Sequence, residues 1–290
     1  MKQTSLFPKR ARIVEVGPRD GLQNEKKFVD IETRVELINQ LTKSGITHIE
    51  AGSFVNPTWV PQMAGSDDVF SKITRGEGTS YIALTPNMRG FERAMEVGVK
   101  EVAIFASASE AFSQKNINCS IAESITRFEP IFDAALKNDV AVRGYVSTIA
   151  GCPYQEEVSV DVVVALAEKL LAMGCYEISL GDTTGVGTPA QIHSILTGLL
   201  QRIPASKLAV HFHDTNGQAL ENIKVALELG ISVIDSSIGG LGGCPYAKGA
   251  SGNVATEEVI ELLDKLDIAH GINLEELTKA RQFIREKLSQ

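Results

Sequence analysis

Arg12-Ile-Val-Glu-Val16, a short run of β-branched residues, begins the first of a series of similar units in this chain. The polar loop Gly17-Pro-Arg-Asp-Gly-Leu-Gln-Asn24 follows it, and a helical pattern then begins at Asp30 and closes near Gly45. Asp30 is a good N-cap residue, and apolar side chains recur on one face of the pattern at helical spacing (Ile31, Val35, Ile38 and Leu41). A strand, a loop rich in reactive groups and an amphipathic helix make one βα unit.

Seven more β-branched runs follow, beginning near Thr47, Ser80, Glu101, Val140, Tyr176, Lys207 and Ile231. Helix signals separate them: Ser120 and Thr188 start apparent capping boxes, and Ser159 and Thr256 open two further helical patterns. Eight βα units without a linker, and without a Gly-x-Gly-x-x-Gly motif after a strand, favour an α/β fold of the (β/α)8 TIM barrel type over a doubly wound sheet. We expect one catalytic barrel domain over residues 1–290, with an additional C-terminal helix at about 273–289 packed on it.

Composition restricts the class of protein. The chain has 290 residues, 43% of them hydrophobic, and a net charge of -8, which argues against binding to nucleic acid. No apolar stretch is long enough for a membrane span, and the N-terminus has no apolar signal region. Four cysteines at positions 119, 152, 175 and 244 show no paired spacing. We therefore expect a cytoplasmic protein with reduced thiols and no membrane partner.

Reactive residues gather where the predicted strands end, which is where barrels of this type hold their active sites. Arg19, Asp20 and Gln23 follow the first strand, and Glu50 ends the second. Other candidates follow later strands: Asp182 after the sixth, His211 and His213 at the end of the seventh, and Cys244 after the eighth. Their positions predict a single site at one end of the barrel.

His211 and His213 are spaced i, i+2 and so point to the same face of a strand. Two adjacent imidazoles make a metal site, an acid/base pair, or a pair of hydrogen-bonded core histidines. Asp20 and Asn253 come from loops that follow neighbouring strands of a closed barrel, so all four side chains can converge. Two imidazoles, a carboxylate and an amide oxygen suit Mg2+ or Mn2+ as the cofactor.

Arg19 is placed beside Asp20 as a group that could stabilise a developing oxyanion, or as half of a surface ion pair. Glu50 would be costly to bury without a partner, and Arg19 on the adjacent strand is the expected one. Asp182 either binds substrate or caps the following loop. We interpret His193 and His270 as solvated helix and loop positions.

The segment from Ser236 to Asn253 contains six glycines, at 239, 240, 242, 243, 249 and 252, with Cys244 at its centre. Glycine keeps side chains out of the way and allows positive φ, so this loop can lie against a ligand or move over it. The other interpretation is a structural turn with an incidental thiol. A cysteine on such a loop favours use of its thiolate chemistry.

Several blocks of the chain together resemble the 3-hydroxy-3-methylglutaryl-CoA lyase family of metal-dependent barrel lyases. They include Glu15-Val-Gly-Pro-Arg-Asp-Gly-Leu-Gln-Asn-Glu-Lys26, Ser53-Phe-Val55, Leu180-Gly-Asp-Thr-Thr-Gly185, His211-Phe-His-Asp-Thr215 and Gly240-Leu-Gly-Gly-Cys-Pro-Tyr-Ala247. The last block is the specific one, because relatives with other carbon–carbon chemistry share the Arg-Asp and His-x-His elements.

The resemblance implies metal ligands at Asp20, His211, His213 and Asn253. It implies substrate-side roles for Arg19, Gln23, Glu50 and Glu257, and we add Ser53, from a matching block, and Asp182 to the predicted substrate contacts. The predicted catalytic residues are Arg19, Asp20, Glu50, His211 and Cys244, with Asp20 and His211 both open as the base.

The implied activity is cleavage of 3-hydroxy-3-methylglutaryl-CoA, an acyl-CoA substrate, to acetyl-CoA and acetoacetate, as in leucine degradation. A related barrel enzyme that condenses acetyl-CoA with a 2-oxo acid, or an aldolase, is the alternative. A non-catalytic acyl-CoA-binding barrel is the third hypothesis, although it would not need the metal-ligand set. We also expect a homodimer.

Overall fold

Eight parallel strands close into a barrel in which each strand pairs with its neighbours in sequence and the last pairs with the first. The computed structural model describes residues 6–155, 157–242 and 252–289. The strands are β1 (Arg12–Glu15), β2 (His48–Ser53), β3 (Ser80–Leu84), β4 (Glu101–Ser107), β5 (Ala141–Ser147), β6 (Glu177–Asp182), β7 (Leu208–Phe212) and β8 (Val233–Ser236). The fold is a TIM barrel, and every predicted strand begins within one or two residues of its expected start.

Helices surround the barrel. They are α1 (Ile31–Lys43), α2 (Ser66–Lys72), α3 (Met88–Glu96), α4 (Glu110–Ile117), α5 (Ile121–Asn138), α6 (Val160–Met173), α7 (Pro189–Leu200), α8 (Ala219–Glu228), α9 (Thr256–Lys265) and α10 (Leu274–Ser289). Short helical turns lie at Gly17–Gly21, Pro61–Met63, Ala205–Lys207 and Ile238–Gly240. None of the helices in the described ranges is both long and apolar enough to cross a membrane.

The caps show which local signals decide helix starts. The side chain of Asp30 accepts the N–H of Thr33, and Ser120 forms the complete capping box with Glu123. Of the two hydrogen bonds of the capping box predicted at Thr188, one is present and the other is wrong. Thr188 accepts the N–H of Gln191, but the Gln191 side chain donates to the Ala150 carbonyl at 2.6 Å instead of returning to the cap. A tertiary contact has replaced the local one.

Side-chain alternation along the strands makes two buried layers. Alternate residues fill the barrel interior: Val14, Val16, Ile82, Leu84, Ala103, Tyr145, Ala209 and Val233. The residues between them pack outward against the helices in a larger apolar core. The interior also holds the buried charges of Arg143, Glu177 and Asp235, which lie below the C-terminal ends of the strands.

The predicted C-terminal helix is present as α10. It packs against α1 and the Ile238–Gly240 turn, with Leu277, Ala280 and Ile284 buried at the contact. It therefore supports the outside of the barrel next to the glycine-rich segment.

Candidate active site

The chain leaves β1 through a tight π-helical turn, Gly17–Gly21, that carries Arg19 and Asp20. A Cβ at Gly17 would lie 2.6 Å from Glu15 Oε1, and one at Gly21 would lie 2.7 Å from Ser237 Oγ. Both glycines are therefore required for the turn to pack against its neighbours. The turn holds two charged side chains at the C-terminal end of the barrel.

Arg19 is buried between two carboxylates. Its Nη1 donates to Asp20 Oδ1 at 2.7 Å, and its Nη2 lies 2.7 Å from Glu50 Oε2. The predicted pair of Arg19 and Glu50 is confirmed. Gln23 Nε2 also donates to Asp20 Oδ1, at 3.2 Å. Burial raises the pKa of Glu50, although the charge and hydrogen bond of Arg19 act to lower it.

Asp20, His211 and His213 form the one group of possible metal ligands found among the described residues. One ligand atom from each lies within 4.8 Å of the others. The two imidazole centroids are 5.5 Å apart, and His211 Nε2 lies 3.8 Å from Asp20 Oδ2. The predicted convergence of the loops after β1 and β7 is confirmed, since both strands pair with β8.

The protonation states of Asp20 and His213 suit a cation, whereas His211 must be neutral before it can bind one. Burial alone would raise the pKa of Asp20, but Arg19 and the two histidines lower it to about 2, so the carboxylate is ionised. Burial, together with the neighbouring His211, lowers the pKa of His213 to about 4. Burial also opposes the charge of His211, yet its bond to Asp235 and the nearby Asp20 raise its pKa.

A divalent metal ion fits these residues. The Nδ1 atom of His213 is buried and has no hydrogen-bond partner within the described ranges. A neutral imidazole with an unpartnered nitrogen beside an ionised carboxylate leaves a lone pair for a cation, and burying it otherwise carries a cost. We therefore retain the metal-site interpretation of the two histidines over that of a hydrogen-bonded core pair.

Asn253 lies next to the group and is paired with His213 in an isolated bridge. Its Nδ2 donates to Asp20 Oδ2 at 2.8 Å and to the Leu241 carbonyl at 3.1 Å. In this arrangement the amide nitrogen faces the carboxylate. Coordination through the Asn253 oxygen stays a prediction.

Three other predicted residues have different surroundings. Ser53, buried at the end of β2, pairs with the interior residue Leu84. Asp182 lies three positions after the inward-facing Ser179 on β6, so its side chain points to the opposite face of the strand. It accepts the N–H of Gly187 in its own loop at 2.8 Å, and this contact favours a loop-capping role over a substrate contact.

Glu257 is the third of these residues, and its carboxylate supports the turn before the glycine-rich segment. Its Oε2 accepts the Gly239 N–H at 2.9 Å, and its Oε1 lies 3.6 Å from Arg281 Nε. Since Oε1 has no hydrogen-bond partner among the described residues, the substrate-side role of Glu257 stays a prediction.

The glycine-rich segment is described only at its ends. Cys244 lies outside the described residues. Gly242 has φ +103°, and its carbonyl accepts the Asn253 N–H at 3.3 Å. The segment that carries Cys244 therefore starts and ends beside the candidate metal group.

Sequence reasoning missed the residues beneath the site, above all Asp235, Arg143 and Glu15. A charged residue inside a strand that is otherwise apolar was the available signal, because such a group is buried only with partners. The partners themselves come from distant strands: Arg143 on β5 donates two hydrogen bonds to Asp235 on β8, at 2.7 and 2.9 Å. Only the closed register of the barrel identifies them.

The closed barrel and this site define a class of protein: a (β/α)8 enzyme with a candidate metal centre of carboxylate and histidine side chains at the C-terminal ends of its strands. Comparison with known proteins narrows the class. A family model described as HMGL-like matches residues 10–284. The chain belongs to the HMGL-like family and is an enzyme, a carbon–carbon lyase.

Its relatives share nearly the whole chain. The mitochondrial hydroxymethylglutaryl-CoA lyase of Rattus norvegicus is 55% identical over 283 residues, which cover 98% of this chain and 87% of the rat protein. A Pseudomonas aeruginosa protein, 3-hydroxy-3-isohexenylglutaryl-CoA/hydroxy-methylglutaryl-CoA lyase, is 54% identical and covers 96% and 93%. The crystal structure of a hydroxymethylglutaryl-CoA lyase from P. aeruginosa matches with a TM-score of 0.96 at 53% identity, covering 98% of this chain and 95% of that one.

Proposed function

We propose that this enzyme cleaves 3-hydroxy-3-methylglutaryl-CoA to acetyl-CoA and acetoacetate with the help of a divalent metal ion. One observation carries the proposal: ligand atoms of Asp20, His211 and His213 lie within 4.8 Å of one another. Arg19 is bonded to the same carboxylate at 2.7 Å. The names of the relatives give the substrate, and the site supplies groups for each step of the cleavage.

Asp20, His211 and His213 would hold the cation, with Asn253 as the proposed fourth protein ligand. When bound, Mg2+ or Mn2+ supplies a Lewis acid that acidifies the substrate hydroxyl and fixes the orientation of the bond to be broken. The following steps belong to the side chains of the chain itself.

The first proton transfer takes the 3-hydroxyl proton to a base, either Asp20 or His211. The C–O bond then becomes the ketone of acetoacetate, and the electron pair of the breaking carbon–carbon bond moves onto the thioester fragment as an enolate. Asp20 is ionised and can accept the proton on a carboxylate oxygen. His211 can accept it only at Nε2, and only while that nitrogen is not bound to the cation, because its Nδ1 lies against Asp235.

Arg19 stabilises the enolate oxygen. Its guanidinium is fixed by Asp20 and Glu50, so little reorganisation is needed when negative charge develops. Glu50 contributes by orienting Arg19, and the hydrogen bond between Gln23 and Asp20 holds the other side of the pair. Loss of Arg19 should therefore lower kcat more than it raises KM.

Cys244 donates the proton that converts the enolate carbon to the methyl group of acetyl-CoA. Its segment connects Gly242 with Asn253, both of which lie at the metal group. The glycine content of the segment from Ser236 to Asn253, with Cys244 within it, supports this role.

The experiment is acetoacetate release from 3-hydroxy-3-methylglutaryl-CoA with Mg2+, with Mn2+ and with EDTA, in wild type and in Cys244→Ala. We expect metal-dependent release that falls by about a hundredfold or more in the variant, the scale of losing a general acid. Cys175→Ala is the matched control. Cys175 precedes β6, at the opposite end of the barrel from the site, so this variant should retain activity.

Other results would favour the other hypotheses. Metal binding without acetoacetate release would overturn the lyase proposal, and condensation of acetyl-CoA with 2-oxo acids would be assayed next. No metal binding and no turnover would favour an acyl-CoA-binding barrel. Normal activity in Cys244→Ala would remove the cysteine from the mechanism while leaving the lyase in place.

We further propose that residues 1–290 act as one catalytic domain, that the enzyme works in the cytoplasm in leucine degradation, and that it is a homodimer. The net charge of -8 supports a small-molecule substrate rather than nucleic acid. Light scattering at several concentrations tests the dimer. Cell fractionation tests the location, and growth of a deletion strain on leucine tests the pathway.

A further inference from the structure

Asp235 is a buried carboxylate beneath the metal group that accepts hydrogen bonds from three other strands. On β8 it receives Arg143 Nη2 at 2.7 Å and Nη1 at 2.9 Å from β5. The hydroxyl of Ser179 on β6 donates to Oδ2 at 2.8 Å. On the fourth side, His211 Nδ1 of β7 lies 3.3 Å from Oδ2. The carboxylate therefore joins β5, β6 and β7 to one point.

The charge of Asp235 decides the direction of its bond with His211. Arg143, which is always charged, donates a hydrogen bond to each oxygen of Asp235 and so holds the carboxylate in its ionised form. An ionised carboxylate can only accept hydrogen bonds, so His211 Nδ1 must donate. In neutral His211 the lone pair is then on Nε2, the nitrogen that lies 3.8 Å from Asp20 Oδ2.

Arg143 is held as firmly as the carboxylate it supports. Its Nε donates to Glu177 at 2.9 Å and its Nη1 to the Tyr145 hydroxyl at 3.1 Å, and its side chain is fully buried. Two parallel bonds from a planar guanidinium fix the plane of the Asp235 carboxylate. A buried ion pair is weak support for stability, because removing both charges from water costs about as much as their attraction returns. Positioning of His211 is a better explanation of why these charges are buried here.

We propose that Asp235, fixed by Arg143 and Ser179, is the positioning residue of the metal centre, because it accepts the Nδ1–H hydrogen bond of His211 and so leaves the Nε2 lone pair for the cation. His213 differs, since its Nδ1 has no hydrogen-bond partner among the described residues. The two histidines are thus not equivalent: Asp235 orients His211, whereas His213 has no corresponding residue at its Nδ1 atom within the described ranges. This inference rests on the proposed metal-dependent function.

The first test needs no metal. Long-range 1H–15N NMR of histidine side chains, with signals assigned from single histidine substitutions, reports which nitrogen of His211 carries the proton in the metal-free protein. At alkaline pH we expect the Nδ1–H form of His211 in wild type and a mixture of forms in Asp235→Asn. Glu101→Gln is the matched control, because it removes a buried carboxylate that accepts hydrogen bonds from Ser80 and Tyr176 at the start of β4, at the opposite end of the barrel from the site. Its His211 signals should match wild type.

The second test measures Mn2+ affinity from the free-Mn2+ EPR signal. Asp235→Asn should weaken binding by about 10- to 100-fold, the usual cost of losing a residue that orients a metal-ligating histidine. Ser179→Ala keeps both charges and removes one hydrogen bond, so it should fold normally and weaken binding by a smaller factor. Glu101→Gln should bind Mn2+ as wild type does.

The failures are distinguishable. If wild type binds Mn2+ but Asp235→Asn and Ser179→Ala both bind it within twofold of wild type, the positioning role is overturned. An Nε2–H form of His211 in wild type overturns it as well. If wild type binds no Mn2+ although His211 carries its proton on Nδ1, the proposed metal-dependent function fails instead. Should Asp235→Asn not fold, the affinity of Ser179→Ala decides the question.

Discussion

At the residue scale, His213 is a direct probe of the metal centre. Its pKa of about 4 keeps it neutral at physiological pH, and its buried Nδ1 has no partner in the described part of the chain. We expect His213→Ala to weaken Mn2+ binding by more than about 100-fold, beyond the range for losing a supporting residue. The EPR titration measures this directly.

The control for that variant is His193→Ala, which removes an exposed histidine from the surface of α7. It should leave Mn2+ binding unchanged. Equal affinities of His213→Ala and His193→Ala would mean that the lone pair of His213 has another use, and the metal site would have to be sought elsewhere.

Glu15 is a second residue with a testable charge. Its Oε1 accepts N–H groups of Gly17 and Ile238, each at 2.8 Å, and its Oε2 accepts the Thr256 hydroxyl at 2.7 Å. Burial raises its pKa from 4.5 to about 7, in spite of these hydrogen bonds. One protonatable group therefore joins the Arg19 turn, the start of the glycine-rich segment and helix α9.

The raised pKa has a defined sign in stability. Between pH 4.5 and 7 the folded chain holds a proton that the unfolded chain has lost, so this contribution to stability is complete below pH 4.5 and is lost as pH rises through 7. Glu15→Gln cannot ionise. Relative to wild type, its free energy of unfolding should rise between pH 5 and pH 8, by about 3 kcal/mol at most.

Urea denaturation of both proteins at several pH values between 5 and 8 measures the difference. The absolute stability of the variant at one pH is not the test, because the amide changes the hydrogen bonds of Gly17 and Thr256. A difference that stays constant across this range would show that Glu15 does not titrate there.

At the scale of elements, the junction between the Ile238–Gly240 turn and the glycine-rich segment depends on Gly242. This residue has φ +103°, and a Cβ there would lie 2.6 Å from Asn253 Nδ2. Gly242→Ala should therefore displace Asn253 from Asp20. We expect weaker Mn2+ binding and slower acetoacetate release, with at least a tenfold loss in one of them.

Gly217→Ala is the control that separates the effect of the clash between a Cβ at Gly242 and Asn253 from the effect of backbone strain. Gly217 also has positive φ, +69°, but a Cβ there would meet nothing within 4 Å. Gly217→Ala carries the cost of a side chain in the left-handed region, of order 1 kcal/mol, and Gly242→Ala carries at least that cost because its φ lies beyond this region. Only Gly242→Ala should affect the metal and the activity, and similar losses in the two variants would attribute the effect to strain alone.

The strands and helices were predictable because their signals are local. β-branched runs marked all eight strands, and Ser120 or Asp30 marked helix starts through hydrogen bonds to residues three positions away. Thr188 shows the limit: its partner Gln191 satisfies a carbonyl in another loop instead. A local pattern predicts the cap, but a tertiary acceptor decides where the side chain goes.

The site was predictable in part for a similar reason. In a closed parallel barrel the strand ends meet, so Asp20, His211 and His213 converge whatever the detailed register. Which side chains lie beneath them does depend on register, since Asp235 meets Arg143 only because β5 and β8 face each other across the interior. Glu257 illustrates the same limit, because the sequence alone does not reveal that its carboxylate accepts the Gly239 N–H.

At the scale of the whole molecule, the metal centre joins the loops after β1, β7 and β8, so a bound cation should stabilise the entire fold. Binding to the folded chain alone adds about 2.7 kcal/mol to the free energy of unfolding when free metal is a hundred times its Kd. For a chain of 290 residues that corresponds to a rise in Tm of roughly 4 °C.

Thermal scans of wild type and His213→Ala, at one heating rate and equal free Mn2+, test this link. The Tm of wild type should rise when Mn2+ is added and fall again when EDTA removes it. The Tm of His213→Ala should be the same without metal, with Mn2+ and with Mn2+ plus EDTA. The size of the shift then gives an affinity to compare with the EPR titration. The wild-type Tm could instead stay unchanged at Mn2+ concentrations that saturate the activity. That result would mean that the cation binds together with the substrate rather than in a site preformed by Asp20 and His211.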